Sequence, residues 1–141
     1  MSKGTAVITG AANGIGQAYA QRLATDGFDI AVADVVDAST TKGLIEATGR
    51  KFFSALVDVT SPESTLQFAA DVAANLPPVV ALVNNAGIYP WKSFADTDYA
   101  LWRKVLSVNL DGAFLMSKAF IPGMKERKLG RIVNVASTAG L

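Results

Sequence analysis

Five short apolar runs rich in β-branched residues punctuate the chain: Thr5 to Thr9, Phe28 to Ala33, Phe52 to Val57, Val79 to Val83 and Arg131 to Val135. Each resembles a buried strand. Between them lie longer stretches with helical spacing, as at Ile15, Ala18, Tyr19, Arg22 and Leu23, and again at Leu66, Ala69, Ala70 and Ala73. The stretch Thr60 to Ser64, TSPES, reads as a helix start, with hydroxyl caps and Pro62 in the first turn. A long helical region from about Thr97 to about Lys128 is expected to be interrupted near Asp111 and Gly112 or at Pro122. Strands that alternate with helices predict an α/β fold, a doubly wound parallel sheet with helices on both faces, because parallel neighbours need crossover connections. No internal repeat, low-complexity segment or linker composition divides the chain.

Composition narrows the chemistry. With 141 residues, half of them hydrophobic, the chain can bury the core of one domain. A formal net charge of +1 without blocks of like charge argues against nucleic acid as a partner. There is no cysteine and no histidine, which removes disulfides, thiolate chemistry, the usual general base and the commonest metal ligand, so no metal site is expected. The first residues, MSKGTAVITG, lack the regions of a signal peptide, and no apolar run approaches the ~20 residues of a membrane span. A soluble cytoplasmic protein acting on a small molecule is the expectation.

The chemistry concentrates in VITGAANGIG, Val7 to Gly16, where Gly10, Gly14 and Gly16 follow the first strand and open the first helix. Glycines there allow left-handed turns and close backbone approach, and the helix start offers free N–H groups and a positive dipole end to an anion. The loop has Asn13 but no Lys or Arg, and Gln17 and Ala18 follow Gly16, which excludes the phosphate loop of nucleoside triphosphatases. A tight connection that binds nothing fits the same glycines. Asp34 ends the second strand eighteen residues past Gly16, near the ~20 expected for a carboxylate that bonds adenosine ribose hydroxyls. A carboxylate there repels a 2′-phosphate, so NAD is favoured over NADP; a solvated loop carboxylate is the alternative.

Taken together these residues resemble the short-chain dehydrogenase/reductase family. TGAANGIG (Thr9 to Gly16) is similar to its cofactor loop, with Ile15 among the contacts, and Asp58 and Val59 to the pair that frames the adenine. NNAG (Asn84 to Gly87) matches the tetrapeptide that stabilises the sheet and lines the cofactor cleft with Asn85, Ala86 and Gly87. Asn109 resembles the helix asparagine that holds a water in the proton relay, and Ser137 the serine that hydrogen-bonds the substrate carbonyl. The resemblance implies a Rossmann-like sheet of order 3-2-1-4-5 and reversible hydride transfer between NAD and a carbonyl or secondary alcohol. It also implies a homodimer or homotetramer, joined through apolar residues such as Leu101, Val105, Leu106, Phe114 and Leu115.

The family's tyrosine, followed four residues later by a lysine, is missing. Leu23 follows Tyr19 at that spacing, Ser93 follows Tyr89 and Arg103 follows Tyr99. The expectation is therefore one NAD-binding domain over residues 1–141, a fragment that precedes the Tyr and Lys, exposes a sheet edge and has little turnover by itself. A non-catalytic dinucleotide-binding module and an assembly unit are the competing readings. Tyr89, Pro90, Trp91 and Phe94 offer a wall for an apolar alcohol, or pack on the following helix.

Overall fold

The computed structural model describes residues 1–137. Strand β1 (Thr5–Thr9) leads through the glycine loop into α1 (Gly14–Thr25), followed by β2 (Asp29–Asp34), α2 (Ser39–Glu46), β3 (Phe52–Leu56), α3 (Pro62–Asn75) and β4 (Val79–Asn84). After a loop come α4 (Tyr99–Leu106), a π-helical turn (Ser107–Asp111), α5 (Gly112–Glu126) and β5 (Arg131–Asn134). The five strands form one sheet in the order β3-β2-β1-β4-β5, with every neighbouring pair parallel. The expected strands and their order are thus those of the structure.

Two apolar layers hold the sheet. On one face Ile8, Ile30 and Val32 pack with Ala20 and Ala24 of α1 and Ile45 of α2. On the other, Val7, Leu82 and Val57 pack with Phe68 and Val72 of α3 and Met116, Phe120 and Met124 of α5. Phe68 is the hub of this second layer, with ring centroids 6.2 Å from both Phe53 and Phe120. All five residues of β1 are buried, as its central place between two helix layers requires. Strand β5 lies at the opposite extreme: it is an edge strand, and all four of its residues are exposed.

Local chemistry sets the helix boundaries. The Ser61 side chain accepts from Ser64 N and Pro62 sits in the first turn, so α3 starts where TSPES predicts. Helix α2 is short, and the hydrophobic pattern does not mark it. The Asp37 carboxylate accepts from Ser39 N at its start, and hydrogen bonding to Ser39 holds that carboxyl below its ordinary value. The long helical region is broken at Ser107 to Asp111, one turn earlier than Gly112, where Gly112 N donates to Ser107 O, five residues back. Pro122 lies inside α5 without ending it. Both Pro122 and Lys118, whose carbonyl loses its donor, are exposed, so that carbonyl is not left in the apolar core.

Truncating the hub tests this packing. Phe68→Ala should lower the stability to chemical denaturation by about 3 to 5 kcal/mol, the usual cost of removing a fully enclosed aromatic side chain.

Candidate functional site

A cavity of about 450 Å³ opens over the C-terminal ends of β1, β2, β3 and β4, bounded by Gly10, Asp34, Asp58, Ala86 and Val108. This is the point where the chain runs from β1 toward β2 and β3 on one side and β4 and β5 on the other. Open parallel sheets bind ligands at such a switch point.

The glycine loop is locked from beneath by one amide. Asn85 Nδ2 donates to both Thr9 O and Gly10 O at 3.0 Å. The Thr9 hydroxyl in turn accepts from Asn85 N and Ala86 N, at 3.0 and 2.9 Å. These bonds join the ends of β1 and β4 so tightly that side chains are excluded nearby. A Cβ on Gly10 would stand 2.9 Å from Ala86 Cα, and one on Gly16 would strike Gly10 O and stand 2.6 Å from Asn85 Nδ2. Gly14 is a glycine for a different reason. Its φ is +57°, and nothing lies within 4 Å of where a Cβ would be. Asn13, before it, makes no side-chain cap to α1, and the first turn holds no acidic residue. The N–H groups of Gly14, Ile15 and Gly16 therefore open α1 without a side-chain cap.

Gln17 and Thr41 complete the loop and are not singled out by sequence reasoning. Gln17 Nε2 donates to Ala12 O and to Thr41 Oγ1, and the Thr41 hydroxyl lies 2.8 Å from Ala11 O. Thr41 is fully buried on α2 beneath the loop, one turn before Ile45. Its i, i+4 spacing from Ile45 is the one signal in the sequence that this face turns inward.

Asp34 sits at the cavity rim and already does structural work. Its Oδ2 accepts from Ala12 N at 2.9 Å and its Oδ1 from Val36 N at 3.3 Å. Each carboxylate oxygen keeps a second lone pair for another donor. Asp58 is bound on one oxygen, Oδ1, by the amide and hydroxyl of Thr60, and among the described residues Oδ2 has no partner. Val59 beside it is buried against α5, where a Cβ on Gly112 would approach its Cγ2 to 2.7 Å.

At the other end of the cleft lie Gly87, Ile88 and Asn109. The Asn109 amide, in the π-helical turn, reads the backbone of Ile88 like a strand partner: Oδ1 accepts from Ile88 N at 2.8 Å and Nδ2 donates to Ile88 O at 2.9 Å. Turns of this kind are rare and recur at functional sites. Ser137 lies three residues past β5, exposed, at the same end of the sheet. Tyr89 and Trp91 pack edge to face at 6.0 Å but stay exposed, as does Phe94, so this loop does not fold back on α4. Asn84 points to the α5 face instead, donating to Asn134 Oδ1 at 2.8 Å and to Ser117 Oγ at 3.1 Å. Among the described residues no cluster of acidic side chains has the makings of a metal site, and no helix is long and apolar enough to cross a membrane.

Residues 4–141 match the family model of short chain dehydrogenases. Nodulation protein G of Azospirillum brasilense is 41% identical over 144 residues, covering 100% of this chain and 58% of that protein. The 2-dehydro-3-deoxy-D-gluconate 5-dehydrogenase of Bacillus subtilis is 37% identical, over 94% of this chain and 52% of its own length. The chain thus spans about half the length of these curated relatives. A crystal structure of an actinorhodin polyketide ketoreductase variant with NADPH superposes with a TM-score of 0.92 at 34% identity, over 99% of this chain and 56% of that one. Fold, glycine loop and sequence agree: the chain belongs to the short chain dehydrogenase family.

Proposed function

We propose that the chain is the NAD-binding domain of an oxidoreductase that interconverts a carbonyl and a secondary alcohol. The observation that carries this reading is a cavity bounded by Gly10 of the glycine loop and by the Asp34 and Asp58 carboxylates, with the start of α1, which has no side-chain cap, following directly on that loop. This set suits a dinucleotide. The pyrophosphate fits the N–H groups and dipole of α1 at Gly14, Ile15 and Gly16, with Asn13 at its edge. Asp34 faces the adenosine ribose hydroxyls, and Asp58 Oδ2 is placed to accept from the adenine amine, beside Val59. Gly10, Ala86 and Gly87 let the cofactor lie close to the backbone. NAD is preferred to NADP because Asp34 opposes a 2′-phosphate and the glycine loop brings no cation to it.

The cofactor supplies or accepts hydride, and the protein supplies position and protons. Ser137 holds the substrate oxygen by its hydroxyl. Asn109 is a positioning residue: its amide fixes Ile88 at the nicotinamide end, and its second Oδ1 lone pair and the backbone of the π-helical turn are left to hold water. These 141 residues contain no tyrosine followed four residues later by lysine, the pair to which the family resemblance assigns the proton transfer. Lacking it, residues 1–141 alone should lose about 10² to 10⁴ of the rate. We place the protein in the cytoplasm, acting on a small carbonyl or alcohol. Its copies pair through α4, the π-helical turn and α5, where Trp102, Leu110 and Phe114 respectively are exposed.

Calorimetric titration tests the reading, with NAD binding expected and its absence contradicting it. Gly16→Ala, which collides with Gly10 O and Asn85, should abolish that binding. Gly14→Ala meets only backbone strain, about 1 kcal/mol, and should keep most of it. Asp34→Asn retains acceptor capacity toward Ala12 N while removing the charge; it should weaken NAD about tenfold and narrow the preference over NADP. An unchanged NAD to NADP ratio in Asp34→Asn would show that Asp34 serves only the loop.

A further inference from the structure

The cofactor cleft contains one charged group that neither the glycine loop nor the strand ends explain. Lys104, Ser107 and Val108 line it from α4 and the π-helical turn that follows. Their i, i+3, i+4 spacing makes one helical stripe turned toward the cavity. Among the described residues that bound the cavity Lys104 is the only cation, against the two carboxylates Asp34 and Asp58. Its ammonium has no ion-pair partner among the described residues. Among the described residues the ion pairs are Arg22 with Asp26 and Lys42 with Glu46, both remote from the cleft.

We infer that Lys104 is an affinity determinant for the adenine half of the dinucleotide, resting on the dinucleotide reading above. The purine presents one exocyclic amine and several ring nitrogens that accept hydrogen bonds. Asp58 is suited to the amine and can do nothing for the acceptors, because an ionised carboxylate donates no proton. Lys104 supplies three donors and a positive charge from the opposite wall, and its four-carbon stem can lie along the purine face while the ammonium stays wet. The same charge offsets the repulsion that Asp34 and Asp58 exert on the pyrophosphate. Val108, one turn further along the stripe, forms the apolar floor of the same wall.

The test uses protein expressed from its complete gene, titrated by calorimetry with NAD, NADP, ADP-ribose and nicotinamide mononucleotide. Lys104→Met keeps the stem and removes the charge, and Lys104→Arg restores the charge; the side chain is exposed, so both should melt like the parent. Lys104→Met is expected to weaken NAD and ADP-ribose about fivefold, to leave nicotinamide mononucleotide unchanged, and to flatten the loss of ADP-ribose affinity with added salt. Lys104→Arg should recover most of the affinity. ADP-ribose affinity within twofold of the parent in Lys104→Met would overturn the inference, as would a loss confined to NADP, which would place the ammonium on a 2′-phosphate instead. Failure of the parent itself to bind ADP-ribose would remove the dinucleotide reading, and this inference with it.

Discussion

The side-chain amide of Asn85 sets the geometry on which the site depends. By donating to the carbonyls of Thr9 and Gly10 it fastens β4 to the end of β1 just where the chain must leave the sheet and start α1. The space consumed by that contact leaves no room for a Cβ at Gly10 or Gly16. With the loop pressed down on Asn85, the first turn of α1 is held above the strand ends. The dipole of α1 and its first N–H groups then face the crevice created by the change of direction between β2 and β4. Fold and site have one cause here. The parallel order brings β1 and β4 together, and their junction shapes the cradle.

A second constraint shapes the far wall. The helix after β4 is not continuous, and its π-helical turn carries Asn109 to the backbone of Ile88 while Gly112 allows α5 to close on Val59. The two contacts hold the wall at both ends of the cleft, Asn109 at the loop after NNAG and Gly112 at the Asp58–Val59 pair. Lys104, Ser107 and Val108 are presented to the cavity from the end of α4 and the start of the turn, just before Asn109. Asp34 likewise has two jobs. It ties Ala12 into place by a backbone bond and puts a carboxylate on the rim, so a change at this residue acts on the loop as well as on any ligand.

Much of this was legible from the residues. Short runs rich in β-branched residues mark the five strands to within a residue or two; in the central β1 and β2 this follows from burial on both faces, whereas the edge strands β3 and β5 keep such residues while staying partly or fully exposed. The glycine loop, Asp34 and NNAG stand out because their residue types are costly anywhere else. What escaped notice has physical reasons too. Helix α2 is eight residues long and buries only Thr41 and Ile45, too few positions to show a period. Thr41 and Gln17 act through hydrogen bonds to loop carbonyls, which leave no trace in a hydrophobic pattern. The interruption expected near Asp111 and Gly112 is there, as a π-helical turn over Ser107–Asp111 that ends at Gly112, but its shift of the hydrogen bonding by one residue leaves no mark in the hydrophobic pattern. Pro122, the other expected interruption, lies on the exposed side of α5, where the missing bond does not leave a polar group in the core.

A crystal structure of the protein grown with NAD tests the central claim most directly. The account predicts the pyrophosphate over Gly14 and Ile15, the adenosine ribose hydroxyls on the Asp34 carboxylate, and the adenine between Asp58 and Val108. A dinucleotide bound elsewhere, or bound here with its phosphates away from the start of α1, would contradict it.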